Sequence, residues 1–133
     1  MEKVERISNP DRKWFMVEII EKFEPVIHDD AKDLRRVTTY GNFHLIKADS
    51  AEEAYEKGIK VGEKSNYTFT NSDKQEMESS FIGIGELLPI YEDIEDGAEL
   101  MYTDYGDISH RRAIRMARNK TELLAAIPEN KDR

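Results

Sequence analysis

The chain contains no cysteine, which removes disulfides, thiolate metal sites and cysteine nucleophiles together. No apolar run approaches the roughly twenty residues that cross a bilayer. The opening stretch MEKVERISNPDRK alternates charges with single apolar residues and lacks the apolar core of a secretory signal. A soluble, cytoplasmic protein is expected. Also missing are a G-x-S-x-G elbow, a Walker loop, a G-x-G-x-x-G crossing and an H-E-x-x-H helix. The expectation is therefore a protein that is no enzyme and takes no cofactor or metal.

Basic residues are in short supply, with 20 Lys and Arg against 28 Asp and Glu and a net charge of −8. A pI near 5.0 repels phosphate backbones, so nucleic acid is an unfavourable partner. The charge is also segregated. From Asp73 to Asp104 there are ten acids and one Lys, and from Arg111 to Lys120 five bases and no acid. Residues 1–106 carry −11 and residues 107–133 carry +3. Such asymmetry bears on partners more than on fold.

At 133 residues, with 38% apolar and 36% charged content, the chain suits one globular domain with residues 1–11 as a flexible lead. After Asn9-Pro10-Asp11, the aromatic and β-branched run from Lys13 to Phe23 predicts a strand ending at Pro25. Leu34 to Ala48 predicts one long strand bent at Gly41 and paired with the first, in preference to a hairpin. Asp49-Ser50-Ala51-Glu52-Glu53 is a capping box, so a helix starts at Ala51 and runs to Lys64, with Gly58 and Gly62 allowing close approach to a sheet. Strands follow at 66–71, 76–91 and 99–105, with Gly83 and Gly85 as bulge positions. Ser109 caps an expected arginine-rich helix over 109–127, stopped by Pro128. The fold class is α+β: a mostly antiparallel sheet of four or five strands, one packed helix and a C-terminal helix.

Certain pieces resemble a small bacterial and phage family known as domain of unknown function 4288. They are Trp14-Phe15-x-Val17, the strand-to-helix join from Phe43 through Ser50 to Ala54, Phe81-Ile82-Gly83-Ile84-x-Glu86-Leu87, and Asp96-Gly97-x-Glu99. The resemblance covers roughly residues 13–105. It implies the α+β core, conveys no catalytic residue, and is silent about the arginine-rich helix.

His28-Asp29-Asp30 offers metal-ligand chemistry but reads as a solvated loop, and His44 as an outward strand residue; His110 stands at a helix start. Tyr91, Tyr102 and Tyr105 accompany Glu92, Asp93, Glu95 and Asp96, a composition of aromatic anchors in a charged rim that suits protein recognition. Arg111, Arg112, Arg115 and Arg118 fall near one face of a continuous helix and can converge on a polyanion. The expectation is a non-enzymatic module that binds another, bacterial, protein as an inhibitor, immunity protein or phage-borne antagonist of a defence or toxin protein. The alternative is capture of a phosphorylated small molecule or nucleotide through the arginine helix, and a homo-oligomer is compatible with either.

Overall fold

A computed structural model describes residues 13–128. The expected flexible lead at residues 1–11 lies outside them. The elements are β1 (Trp14–Pro25), β2 (Thr38–Lys47), α1 (Ala51–Glu63), β3 (Tyr67–Thr70), β4 (Glu76–Pro89), α2 (His110–Arg115) and α3 (Lys120–Ala125). Two compact units result, one ending at Tyr102 and the other beginning at Thr103.

In the first unit the four strands form one antiparallel sheet in the order β2-β1-β4-β3. The first strand is therefore central, as its apolar run demands. Phe15, Val17 and Ile19 point to one face and are buried with Ile46, Ala48 and Ala54 beneath α1. Gly58 and Gly62 make that approach possible. A Cβ at Gly58 would meet Val17 Cγ1 at 2.9 Å, and one at Gly62 would lie 2.3 Å from Phe81 Cε1.

The cap of α1 departs from its expected pattern by one residue. Ser50 Oγ accepts from the Glu53 N–H at 3.1 Å, but the Glu53 carboxylate accepts from Asp49 N–H at 2.8 Å rather than from Ser50. β2 is one strand, as anticipated, yet its register with β1 runs through Gly41 without interruption. The two irregularities lie instead between β1 and β4, where Gly85 and then Ile82 are left without a partner. These bulges curl the sheet.

Two expected elements are corrected. No strand forms over residues 99–105. Local side-chain bonds compete for the backbone at the start of that stretch and just past its end: Glu92 Oε1 accepts from Glu99 N–H at 3.2 Å, and Asp104 Oδ1 from Gly106 N–H at 2.7 Å. The single helix over 109–127 is two short ones. Ser109 caps α2, accepting from Arg112 N–H, but α2 ends at Met116, and Asn119 caps a second start by accepting from Glu122 N–H at 2.8 Å. No described residue of this second unit is buried.

Candidate functional site

On the face carrying α1, the sheet continues past the end of the helix, where no other described element of the first unit covers it. Phe23 on β1 lies 5.4 Å from Tyr40 on β2 and 6.0 Å from Phe69 on β3, and Phe69 lies 5.9 Å from Tyr67. These are ring-centroid distances in the range of favourable aromatic pairs. Four rings from three strands thus form one continuous cluster, and Tyr40 and Tyr67 remain about half exposed, at 49% and 51%.

Beside these rings is an open cleft of about 680 Å³. It is lined by Glu21 of β1, Asn42 and His44 of β2, Tyr67 of β3, and Val61, Lys64 and Ser65 at the end of α1. β2 and β3 are opposite edges of the sheet, so their meeting across one cleft shows that this face is concave. Asn42 Nδ2 donates to Glu21 Oε1 at 2.8 Å. His44 does not point outward as expected. Its alternation with the buried Ile46 puts it on the helix side, where Nδ1 is buried with no hydrogen-bond partner among the described residues.

A second constellation joins the end of β1 to the loop before β2. Glu24 is 3% exposed and receives Lys22 Nζ at 2.7 Å and Arg35 Nε at 2.8 Å. The Arg35 hydrogen bond, then that of Lys22, hold its carboxyl at about 2. His28, expected in a solvated loop, is pinned: Nδ1 lies 2.7 Å from the Pro25 carbonyl and Nε2 2.7 Å from Asp30 Oδ1. A neutral imidazole has one N–H, so serving both acceptors requires the imidazolium. The pKa of His28 is accordingly raised, chiefly by the Pro25 carbonyl. Glu24, His28 and Glu78 bring ligand atoms within 4.8 Å of one another. As a metal site they fit poorly, because Glu24 is already paired with two cations and both His28 nitrogens face acceptors.

The residues anticipated from sequence are distributed as follows. Tyr91, Glu92, Asp93, Glu95, Asp96 and Tyr102 lie in the irregular segment after β4, where Tyr91, Ile94, Leu100, Met101 and Tyr102 are each more than a third exposed. Tyr105 belongs to the second unit. Arg111, Arg112 and Arg115 share α2, but Arg118 lies beyond its end and sits 3.7 Å from Glu122. The helical spacing that would align Arg118 with Arg111 and Arg115 is therefore not realised. The aromatic cluster and the cleft were not anticipated. Each ring was placed in or beside a strand, but their convergence depends on a register that spans a long β1–β2 connection and leaves no mark in the sequence.

The family model described as Domain of unknown function (DUF4288) matches residues 14–102, a span holding all four strands and α1 and ending where the first unit ends. No curated protein and no solved structure matches the chain. Among the described residues no helix is long and apolar enough to cross a membrane.

Proposed function

The chain belongs to the DUF4288 family, and on that family's sheet-and-helix core we propose that it acts as a non-enzymatic, cytoplasmic protein-binding module. The observation that carries this reading is the aromatic cluster on the concave face, in which Tyr40, Tyr67 and Phe69 are exposed around a partly buried Phe23. Tyr and Phe supply large contact area for little rotamer entropy, and such rings dominate the energetics of interfaces when buried by a partner. A protein of net charge −8 favours a basic partner, because charge complementarity raises the encounter rate. The acidic, Tyr-bearing segment after β4 supplies steering and a second point of contact.

An inhibitor, an immunity protein or a phage-borne antagonist of a bacterial defence or toxin protein is the role that this combination suits. Such proteins act by occluding a surface and need no chemistry of their own. Hydrogen exchange in the presence of the captured protein tests the contact. Protection is expected at Phe23, Tyr40 and residues 67–70. Protection confined to residues 103–128 would overturn it.

One observation favours a second reading, capture of a phosphorylated small molecule. Lys64, Ser65, Tyr67 and His44 all line one cleft, and each offers a hydrogen-bond donor. On this second reading the anion is held at the cleft rather than at Arg111, Arg112, Arg115 and Arg118. Calorimetry with nucleotides, repeated on Lys64→Gln, decides between the readings.

A further inference from the structure

β2 is an edge strand of ten residues that pairs only with β1 among the described residues. An edge presents a row of unpaired N–H and C=O groups, which proteins ordinarily guard by shortness, charge, proline or a bulge. The opposite edge is guarded by shortness, since β3 has four residues. β2 has these protections only at its end, where Lys47 is charged and its carbonyl accepts from Lys57 Nζ. From Thr38 to Ile46 it carries neither charge nor proline, and its pairing with β1 has no register shift. Tyr40, Phe43 and Leu45 are each about half exposed along it.

Two hydrogen bonds fix which groups face outward. Ala48 N–H donates to the Lys13 carbonyl at 2.7 Å, across the β1 side. Antiparallel alternation then turns the N–H and C=O of Thr39, Gly41, Phe43, Leu45 and Lys47 away from β1. The Lys47 carbonyl bears this out, for it accepts from Lys57 Nζ at 2.7 Å, outside the ladder.

We propose that β2 pairs antiparallel with β2 of a second copy of this chain about a twofold axis at Phe43, joining two four-stranded sheets into one. The register follows from the chemistry. Outward-facing residues must oppose outward-facing residues, so odd numbers meet odd. With Phe43 opposite Phe43 of the second copy, Leu45 meets Gly41, which presents no side chain, and Tyr40 meets Ile46. Asn42 meets His44, and Thr39 meets Lys47. Phe43 opposes Phe43 and Tyr40 opposes Ile46, Leu45 meets the Glu18 side chain that lies over Gly41, polar groups oppose polar groups, and no like charges meet.

The contact is isologous, because one strand supplies both sides of it. A foreign strand would have to bring this complementary pattern, whereas β2 carries its own. The inference is independent of the protein-binding reading. It has one consequence for the cleft, since Asn42 and His44 both line it: the two clefts come to lie side by side across the axis.

Sedimentation velocity of the full chain over a wide concentration range tests the pairing. The expected species is a dimer of twice 15.5 kDa. Phe43→Lys places two ammonium groups on the axis and shifts the protein to monomer with an unchanged circular dichroism spectrum. Wild type that stays monomeric throughout overturns the proposal, and so does a dimer that persists in folded Phe43→Lys. Phe43→Cys gives an independent reading, because it introduces the chain's sole thiol. Opposed Cα atoms at roughly 5.5 Å are within disulfide range. Mild oxidation should crosslink Phe43→Cys and leave Ile82→Cys, an equally exposed strand position, uncrosslinked. Equal crosslinking of the two variants overturns the proposal.

Discussion

Arg35 clamps Glu24: its Nε lies 2.8 Å from one carboxylate oxygen and its Nη2 3.4 Å from the other. Through this pair the loop before β2 is fastened to the end of β1. Replacing Arg35 by Met keeps the stem and removes the charge, leaving Lys22 and the more distant His28, at 3.6 Å, to balance a carboxylate that is 3% exposed. The expected outcome is a lower unfolding midpoint and a Glu24 carboxyl that titrates nearer its ordinary range, read by thermal unfolding at several pH values.

The same network sets a pH dependence. Glu24 is lowered from an ordinary 4.5 to about 2, so its contribution is complete above about 4.5 and is lost as pH falls toward 2. His28 is raised above 6.5, so its contribution is complete below that value and is lost as pH rises through the raised pKa. Stability of the loop at residues 26–37 is therefore greatest between about 4.5 and 6.5. His28→Gln should abolish the alkaline limb of the profile and leave the acid limb. An alkaline limb that persists in His28→Gln contradicts the assignment.

Gly62→Ala should destabilise the protein although alanine is the better helix former. The added methyl would lie 2.3 Å from Phe81 Cε1, and overpacking of this kind costs about 1–3 kcal/mol. The propensity gain is only about 1 kcal/mol. Chemical denaturation measures the net sign, and a stabilised variant would mean that α1 sits farther from β4.

Ser50→Ala removes the hydroxyl that accepts from Glu53 N–H, at a cost of about 0.5–2 kcal/mol. Binding should be unaffected once the variant is folded, since the cap lies away from the aromatic cluster. A midpoint equal to wild type would contradict the role of Ser50.

What the sequence conveyed and what it withheld have physical causes. The central strand was readable because Trp14 to Phe23 is apolar and β-branched, and α1 because Ser50 and Glu53 cap it locally. Gly58 and Gly62 at helical spacing announced the close packing on Val17 and Phe81. The strand expected at 99–105 misled because Glu92 and Asp104 satisfy backbone groups that would otherwise pair. The helix expected at 109–127 misled because Asn119 lies mid-pattern and starts a new helix. The concave aromatic face depends on Phe23, Tyr40 and Phe69 meeting across three strands, and such long-range register has no local signature.

Charge reversal at Glu92, Asp93, Glu95 and Asp96 together should slow association with a basic partner and flatten its salt dependence, while dissociation changes little. Steering acts on encounter and is screened over roughly 8–10 Å at ordinary ionic strength. Stopped-flow or surface-based kinetics at two salt concentrations report it. Unchanged association kinetics would remove this segment from the contact.

The most direct measurement is a binding titration of Tyr40→Ala/Tyr67→Ala against the protein that wild type captures. Both rings are about half exposed, so the variant should fold. Loss of each anchor typically costs about 2 kcal/mol or more, so affinity should fall by roughly a hundredfold or more if both rings are buried on binding, with the circular dichroism spectrum unchanged. A folded double variant that binds as tightly as wild type would contradict the claim that the concave aromatic face is the binding surface.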